Sequence, residues 1–231
     1  MSDMLYGWYY AVPYARLTDE EKEHNANAAM SLLRRGGFTI YAAAGIVGNM
    51  WAESQMNPGQ WQVINGQEIP YTGGYGLVQW TPYTLYSEWA VTDWENNGPK
   101  EIERIFYEKA NGLEFYPSQV YPMWTWNRFA RMGPEEGQTD IDSVNQAAEI
   151  FLYNYLRPSN PAGSVANRRY HARYVYQHCP GSVIPVWLLG WWHLKNRKVI
   201  KGAHFLGGPH FTMTIPIYRT RPIFRSTAML L

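Results

Sequence analysis

Glu53 closes a run of mostly small residues, Ile40 to Glu53, beside Met50 and Trp51 and just ahead of Met56. A carboxylic acid held against apolar neighbours resists ionisation, because burial disfavours its charged form. Such an acid can protonate the departing oxygen of a glycosidic bond, which leaves slowly without that help. The spacing alone equally fits a helix-terminal glutamate that is merely solvated. Downstream, Gly73-Gly74-Tyr75-Gly76-Leu77-Val78-Gln79-Trp80-Thr81-Pro82 is a glycine-dense turn leading into an amide flanked by aromatics, and the loop between the two stretches is rich in Trp, Asn, Gln and Tyr. Trp61 and Trp80 offer flat faces suited to a sugar ring, although most of the 11 tryptophans must fill the core. Glycoside cleavage by hydrolysis usually needs a second carboxylate at a set separation. Glu68 is the nearest candidate, with a solvated loop residue as its plain alternative.

The elements that must position these residues are legible in part. Thr18 ahead of Asp19-Glu20-Glu21 predicts a helix start, with acidic residues in the first turn, and Arg34-Arg35 followed by Gly36-Gly37 predicts its end. Thr39 can cap a second helix whose apolar positions Ile40, Ala43, Ala44, Val47, Met50 and Trp51 share a 3.6-residue period. Asn49, four residues before Glu53, projects from the same side of that helix. Gly45 and Gly48 weaken it by roughly 1 kcal/mol each and would let another backbone approach. Asn57-Pro58-Gly59 marks its exit, and Asn65-Gly66 between short alternating runs in 60–74 predicts a β-hairpin.

Further helices are expected after Pro82 through Leu85, Trp89 and Val91, at about 99–110, at about 117–129, and from Asp140 through Tyr155. Pro158, Pro161 and Gly163 predict a break, and 167–178 a last helix. Residues 1–18 are Tyr-rich without a clear period and read as an extension. From Pro180 onward five prolines, Trp187, Trp191, Trp192 and basic residues give no sustained period, predicting an irregular appendage.

A chain of 231 residues can bury one sizeable core with room for an appendage. Its charge is unevenly placed: residues 1–149 hold 9 basic and all 19 acidic side chains, and the remainder holds 11 basic and none acidic. The basic part suits an anionic wall polymer, nucleic acid or an acidic protein, unless the asymmetry is chance. Nucleic acid is disfavoured, because the aromatic and basic residues there form no known module. A single cysteine, Cys179, excludes an internal disulfide framework. No metal or cofactor is expected: His193, His204 and His210 form no His-x-His pair, and no acidic ligand follows Glu149. The first residues lack a Sec signal pattern, so export would depend on something else. The longest apolar run, 183–194, is shorter than the roughly 20 residues a transmembrane helix needs.

Glu53-Ser54 followed by Gly76-Leu77-Val78-Gln79 resembles the glutamate-serine and glycine-leucine-x-glutamine signatures of goose-type lysozymes and lytic transglycosylases. More closely, Gly48-Asn49-Met50-Trp51-Ala52-Glu53-Ser54, Asn57-Pro58-Gly59-Gln60-Trp61-Gln62 and 74–82 resemble the phage tail-type lysozyme family, which includes tail-knob peptidoglycan-degrading proteins of small short-tailed phages. The similarity extends through Ala147-Ala148-Glu149-Ile150-Phe151, Tyr155-Leu156-Arg157-Pro158 and Asn160-Pro161, covering roughly 22–178.

The resemblance implies an α+β, mainly α-helical lysozyme-like fold with a small hairpin beside the cleft. Its divisions would be an extension at 1–18, a glycosidase domain at 19–179 and a basic aromatic tail at 180–231. It further implies Glu53 as general acid on the linkage between N-acetylmuramic acid and N-acetylglucosamine, Gln79 and Tyr75 as sugar contacts, and Ser54 or Asn49 as residues orienting the glutamate. Hydrolysis and lytic transglycosylation both remain open, as does an inert glycan-binding tail-tip protein. The expected partners are bacterial peptidoglycan and phage tail or tail-knob proteins. The expected setting is the virion tail tip, or the host cytoplasm before lysis. Some relatives carry a downstream zinc endopeptidase, and the ligands for one are missing here.

Overall fold

A computed structural model describes residues 2–11 and 16–181. The architecture is α+β and mainly helical. Two short antiparallel strands, β1 (Ser2–Leu5) and β2 (Trp8–Ala11), precede helices α1 (Asp19–Arg35) and α2 (Ile40–Ser54). A second hairpin of β3 (Val63–Ile64) and β4 (Gln67–Glu68) follows, then α3 (Thr84–Ala90), α4 (Gly98–Asn111), α5 (Trp126–Ala130) and α6 (Asp140–Phe151). A π-helical turn, Leu152–Leu156, runs on from α6, and α7 (Pro161–His178) completes the described fold. No helix among the described residues is long and apolar enough to cross a membrane. The appendage expected from 180 onward lies, beyond Gly181, outside the described residues.

Helix α2 is the centre of the packing. Its mid-section is almost wholly buried, from Ala42 through Trp51, so it is flanked on several sides rather than along one stripe. Thr39 caps it, accepting a hydrogen bond from the Ala42 N–H. The two glycines do what their small size suggests. A Cβ on Gly45 would come within 2.6 Å of the Ala147 Cβ on α6, and one on Gly48 within 2.5 Å of the Ala172 backbone on α7. Backbone contact of this kind places α6 and α7 on two sides of the helix that carries Glu53 in its last turn.

Local signals elsewhere hold with few exceptions. Helix α1 begins with a full capping box, Thr18 and Glu21 each serving the other's backbone N–H. It ends at Gly36, with the positive φ displaced one residue to Gly37. The β3–β4 turn is the expected Asn65-Gly66, both with positive φ.

Three expectations need correction. Of the predicted 117–129 helix only 126–129 forms, within α5, because Pro117 and the 118–123 stretch make turns in which Ser118 and Tyr121 bond to Asn154. Val91 leaves α3 with a positive φ and is exposed. Pro161 begins α7 instead of breaking the chain, since a proline at the first helical position gives up no internal hydrogen bond, and Asn160 caps it through the Gly163 N–H. Residues 2–11, which showed no period, form a hairpin turned at Tyr6-Gly7. It is held by paired amide contacts of Asn25 to Tyr9 and of Asn57 to Ala11, and Trp8 is buried against Gly98.

Helix α4 carries two buried carboxyls on one face, seven residues apart. Glu108 Oε1 accepts from Arg104 Nε at 2.7 Å and from Trp80 Nε1 at 3.0 Å, and its Oε2 accepts from the Tyr155 hydroxyl at 2.6 Å. Burial raises this carboxyl above the ordinary range despite the three donors. Glu101 is more isolated: its Oε2 accepts the Leu77 N–H and its Oε1 is buried without a partner among the described residues. Burial pushes the Glu101 carboxyl well above the usual carboxylate range, opposed only by the Leu77 bond.

A raised carboxyl contributes stability that is full below the unfolded-state value, about 4.3, and is lost as pH rises toward the folded-state value. Wild-type melting temperature should therefore fall as pH rises above the unfolded-state value. Glu101→Gln, neutral and isosteric, should flatten that fall when both proteins are melted across the same pH series. Parallel curves would show that Glu101 ionises freely in the folded protein.

Candidate active site

Glu53 lies in the last turn of α2, where the helix carbonyls lack intrahelical partners. Its side chain is 22% exposed, and its Oε1 accepts a hydrogen bond from Arg168 Nη2 of α7 at 2.6 Å. Arg168 is itself buried and uses Nη1 to bond the Asn49 carbonyl at 2.9 Å. Glu53 Oε2 takes no hydrogen bond among the described residues. The apolar sequence neighbours do not form the wall expected around the carboxyl: Met50 and Met56 are in the core, and Trp51 stacks on His171 and meets Tyr174 edge-on. The immediate partner of Glu53 is a guanidinium.

The chain leaves α2 through two consecutive non-glycine residues in the left-handed region, Gln55 (φ 53°) and Met56 (φ 59°). Each such residue is strained and persists only where its surroundings hold it. Here Gln55 Nε2 bonds the Trp51 carbonyl, and the Met56 carbonyl accepts from Asn25. The glycine-dense stretch then forms a tight loop: Tyr75 and Trp80 exchange backbone hydrogen bonds, and Gly76 (φ 80°) and Gln79 (φ 57°) turn the chain between them. Gly76 cannot carry a side chain, because a Cβ would sit 2.5 Å from Glu101 Oε2. Leu77 fills the core. Gln79 folds back so that its Nε2 donates to the Gly76 and Gln60 carbonyls, each at 2.9 Å, leaving its Oε1 without a partner among the described residues. Gln60 Nε2 in turn donates to Glu68 Oε1 at 3.2 Å. Glu68 Oε2 is buried without a partner among the described residues, and desolvation raises this carboxyl against the pull of Gln60.

The structure thus joins Gln79, Gln60 and Glu68 in one hydrogen-bonded cluster and holds Glu53 separately through Arg168. Trp61 lies half-buried among Tyr71, Tyr75, Tyr83 and Trp94, with centroids from 4.5 to 6.3 Å, and Tyr71 at the edge of that group is exposed.

Four expected contacts are corrected by burial. Tyr75 is 1% exposed, and its hydroxyl accepts the Asn96 N–H, so it supports the loop from within. Trp80 is enclosed and tied to Glu108. Ser54 donates to the Met50 carbonyl one turn back, the usual recourse of a helical serine, and does not orient Glu53. Asn49 spends its amide on the Gly45 and Ala148 carbonyls, which ties α2 to α6. The hydrogen bond that Glu53 does receive comes from Arg168, which no local pattern in the sequence signalled. Two shallow pockets of about 400 Å³ flank Trp124 and Asn127, and neither is lined by Glu53, Glu68 or Gln79.

With this arrangement in view, similarity to known proteins is decisive. A family model described as phage tail lysozyme matches residues 24–178. The chain belongs to the phage tail lysozyme family. That match takes in α2 with Glu53, the Gln60–Gln79 loop, and α7 with Arg168, so every residue of the site lies within the family region. Morphogenesis protein 1 of Bacillus phage B103 is 36% identical over 153 residues, covering 64% of this chain. The aligned stretch spans 37% of that relative's own length. The protein is a lysozyme-like phage protein.

Proposed function

We propose that this member of the phage tail lysozyme family is a peptidoglycan glycosidase, cleaving the β-1,4 linkage between N-acetylmuramic acid and N-acetylglucosamine, with 19–179 as its glycosidase domain. The observation that carries the reading is Glu53: a part-exposed carboxyl at the end of the central helix, one oxygen held by Arg168 and the other free to meet a ligand. In the reaction, the Glu53 carboxyl gives its proton to the bridging oxygen as the C1–O bond breaks, so the departing sugar leaves as an alcohol. The positive sugar ring is then captured by water, which loses a proton to a carboxylate. Glu68 is the second carboxylate in this scheme, supported by its anchoring through Gln60 and by its desolvated oxygen. Gln79 Oε1 accepts a hydrogen bond from a sugar hydroxyl or acetamido N–H, and Trp61 with Tyr71 offers an apolar face to a ring. The setting proposed is the virion tail tip, opening the host wall for genome delivery alongside tail or tail-knob proteins.

Mass analysis of fragments released from purified peptidoglycan tests the chemistry. Reducing ends that carry the added water are expected, and Glu68→Gln should lower their yield by about 10²-fold or more if it serves as nucleophile or base. Anhydro ends, lighter by one water, would assign capture to the substrate's own hydroxyl and leave Glu53 to act alone as acid and then base. Binding of glycan without release by the wild-type protein would favour an inert tail-tip role.

A further inference from the structure

We infer that Arg168 is the positioning residue of the site, fixing one oxygen of Glu53 so that the other is presented to the glycosidic oxygen; this rests on Glu53 being the acid. A carboxyl in the last turn of a helix faces the negative end of the helix dipole, an unfavourable place for the carboxylate that remains once the proton has been given up. Arg168 answers both parts of that problem. Its Nη1 bonds the Asn49 carbonyl and its Nη2 bonds Glu53 Oε1, so one rigid planar group spans the turn from residue 49 to residue 53.

The helix packing explains how it reaches there. Ala172 sits against Gly48, and Arg168, one turn earlier on α7, therefore falls beside Asn49 and Glu53 on the antiparallel α2. Helix α7 is held to α6 by Arg169 on Glu149 and Arg173 on Asn145, so Arg168 is free of that duty. Its Nε is buried without an acceptor among the described residues, a cost that an arginine serving packing alone has no reason to bear. The neighbouring His171 imidazole is held below its ordinary range by burial, with Arg168 and Lys22 adding to the effect, so it adds little positive charge beside Glu53.

The test uses the full chain and soluble glycan strands as substrate. Arg168→Ala is expected to lower kcat on the order of 10²-fold with KM within a few-fold, as a misoriented acid would. Free guanidinium at low millimolar concentration should restore activity saturably, while the melting temperature stays unchanged by it. In a Glu53→Gln background, Arg168→Ala should remove nothing further, because the two act as one unit. Wild-type kcat in folded Arg168→Ala, or no rescue by guanidinium, overturns the inference. Should Arg168→Ala fail to fold, Arg168→Lys decides: a severalfold loss of kcat supports the role and wild-type kcat overturns it. Full activity in Glu53→Gln would instead sink the reading of Glu53 itself, whereas inactive Glu53→Gln beside fully active Arg168→Ala would sink the role of Arg168 alone.

Discussion

Glu53→Gln is expected to reduce fragment release from purified peptidoglycan by about 10²–10⁴-fold, the range that a positioned proton donor contributes. The substitution keeps the size of the side chain, and its amide oxygen can still accept from Arg168 Nη2. What it removes is the acidic proton, so the bridging oxygen would have to leave as an alkoxide. Melting temperature should stay close to wild type, because Glu53 lies at the part-exposed end of α2 and not in its buried mid-section. Glycan binding should persist. Equal release by wild type and variant would end the assignment of Glu53 as acid, and release by neither, with binding by both, would favour the inert tail-tip reading.

The second large effect is on stability. Glu108→Ala should cost about 3–5 kcal/mol, the usual penalty for breaking a buried ion pair from one side. Glu108 is fully buried, and its removal strands the Arg104 guanidinium and leaves Trp80 Nε1 and the Tyr155 hydroxyl without their acceptor. At about 2–4 °C per kcal/mol for a domain of this size, the melting temperature should drop by roughly 6–20 °C. Glu108→Gln, which keeps an acceptor oxygen, should lose less. The loss also bears on the site, because Trp80 closes the loop that carries Gln79 and Glu108 is what fixes Trp80 to α4. A change in melting of less than about 2 °C in Glu108→Ala would show that these contacts do not form as described.

Much of this was legible in the residues. Helix α1 begins and ends where its cap, first-turn acids and glycines place it. The turn of the β3–β4 hairpin is its Asn-Gly pair. The ordered matches at 48–62, 74–82 and 147–161 point to the family, and they do so from sequence alone because short loops and helix ends around a site tolerate few substitutes. Gly76 is an instance: a positive φ and a carboxyl 2.5 Å from any added Cβ admit glycine only. The failures are also physical. Apolar residues between Pro117 and Phe129 read as a helix, yet that segment folds as turns because Asn154, far along the chain, satisfies its backbone. The hairpin at 2–11 has no alternating pattern of its own and takes its shape from Asn25 and Asn57.

By itself the sequence determined the helices with strong end signals, the hairpin turn, the family and the single carboxylate at the end of α2. All of these depend on residues within a few positions of one another, where propensity, capping and period act. Only the tertiary structure decided what each polar group does. It buried Tyr75 and Trp80, spent Ser54 and Asn49 on backbone carbonyls, and brought Arg168 to Glu53 across 115 positions of chain. That last contact depends on two helices packing at a glycine, a long-range event that leaves no periodic mark in the residues that take part.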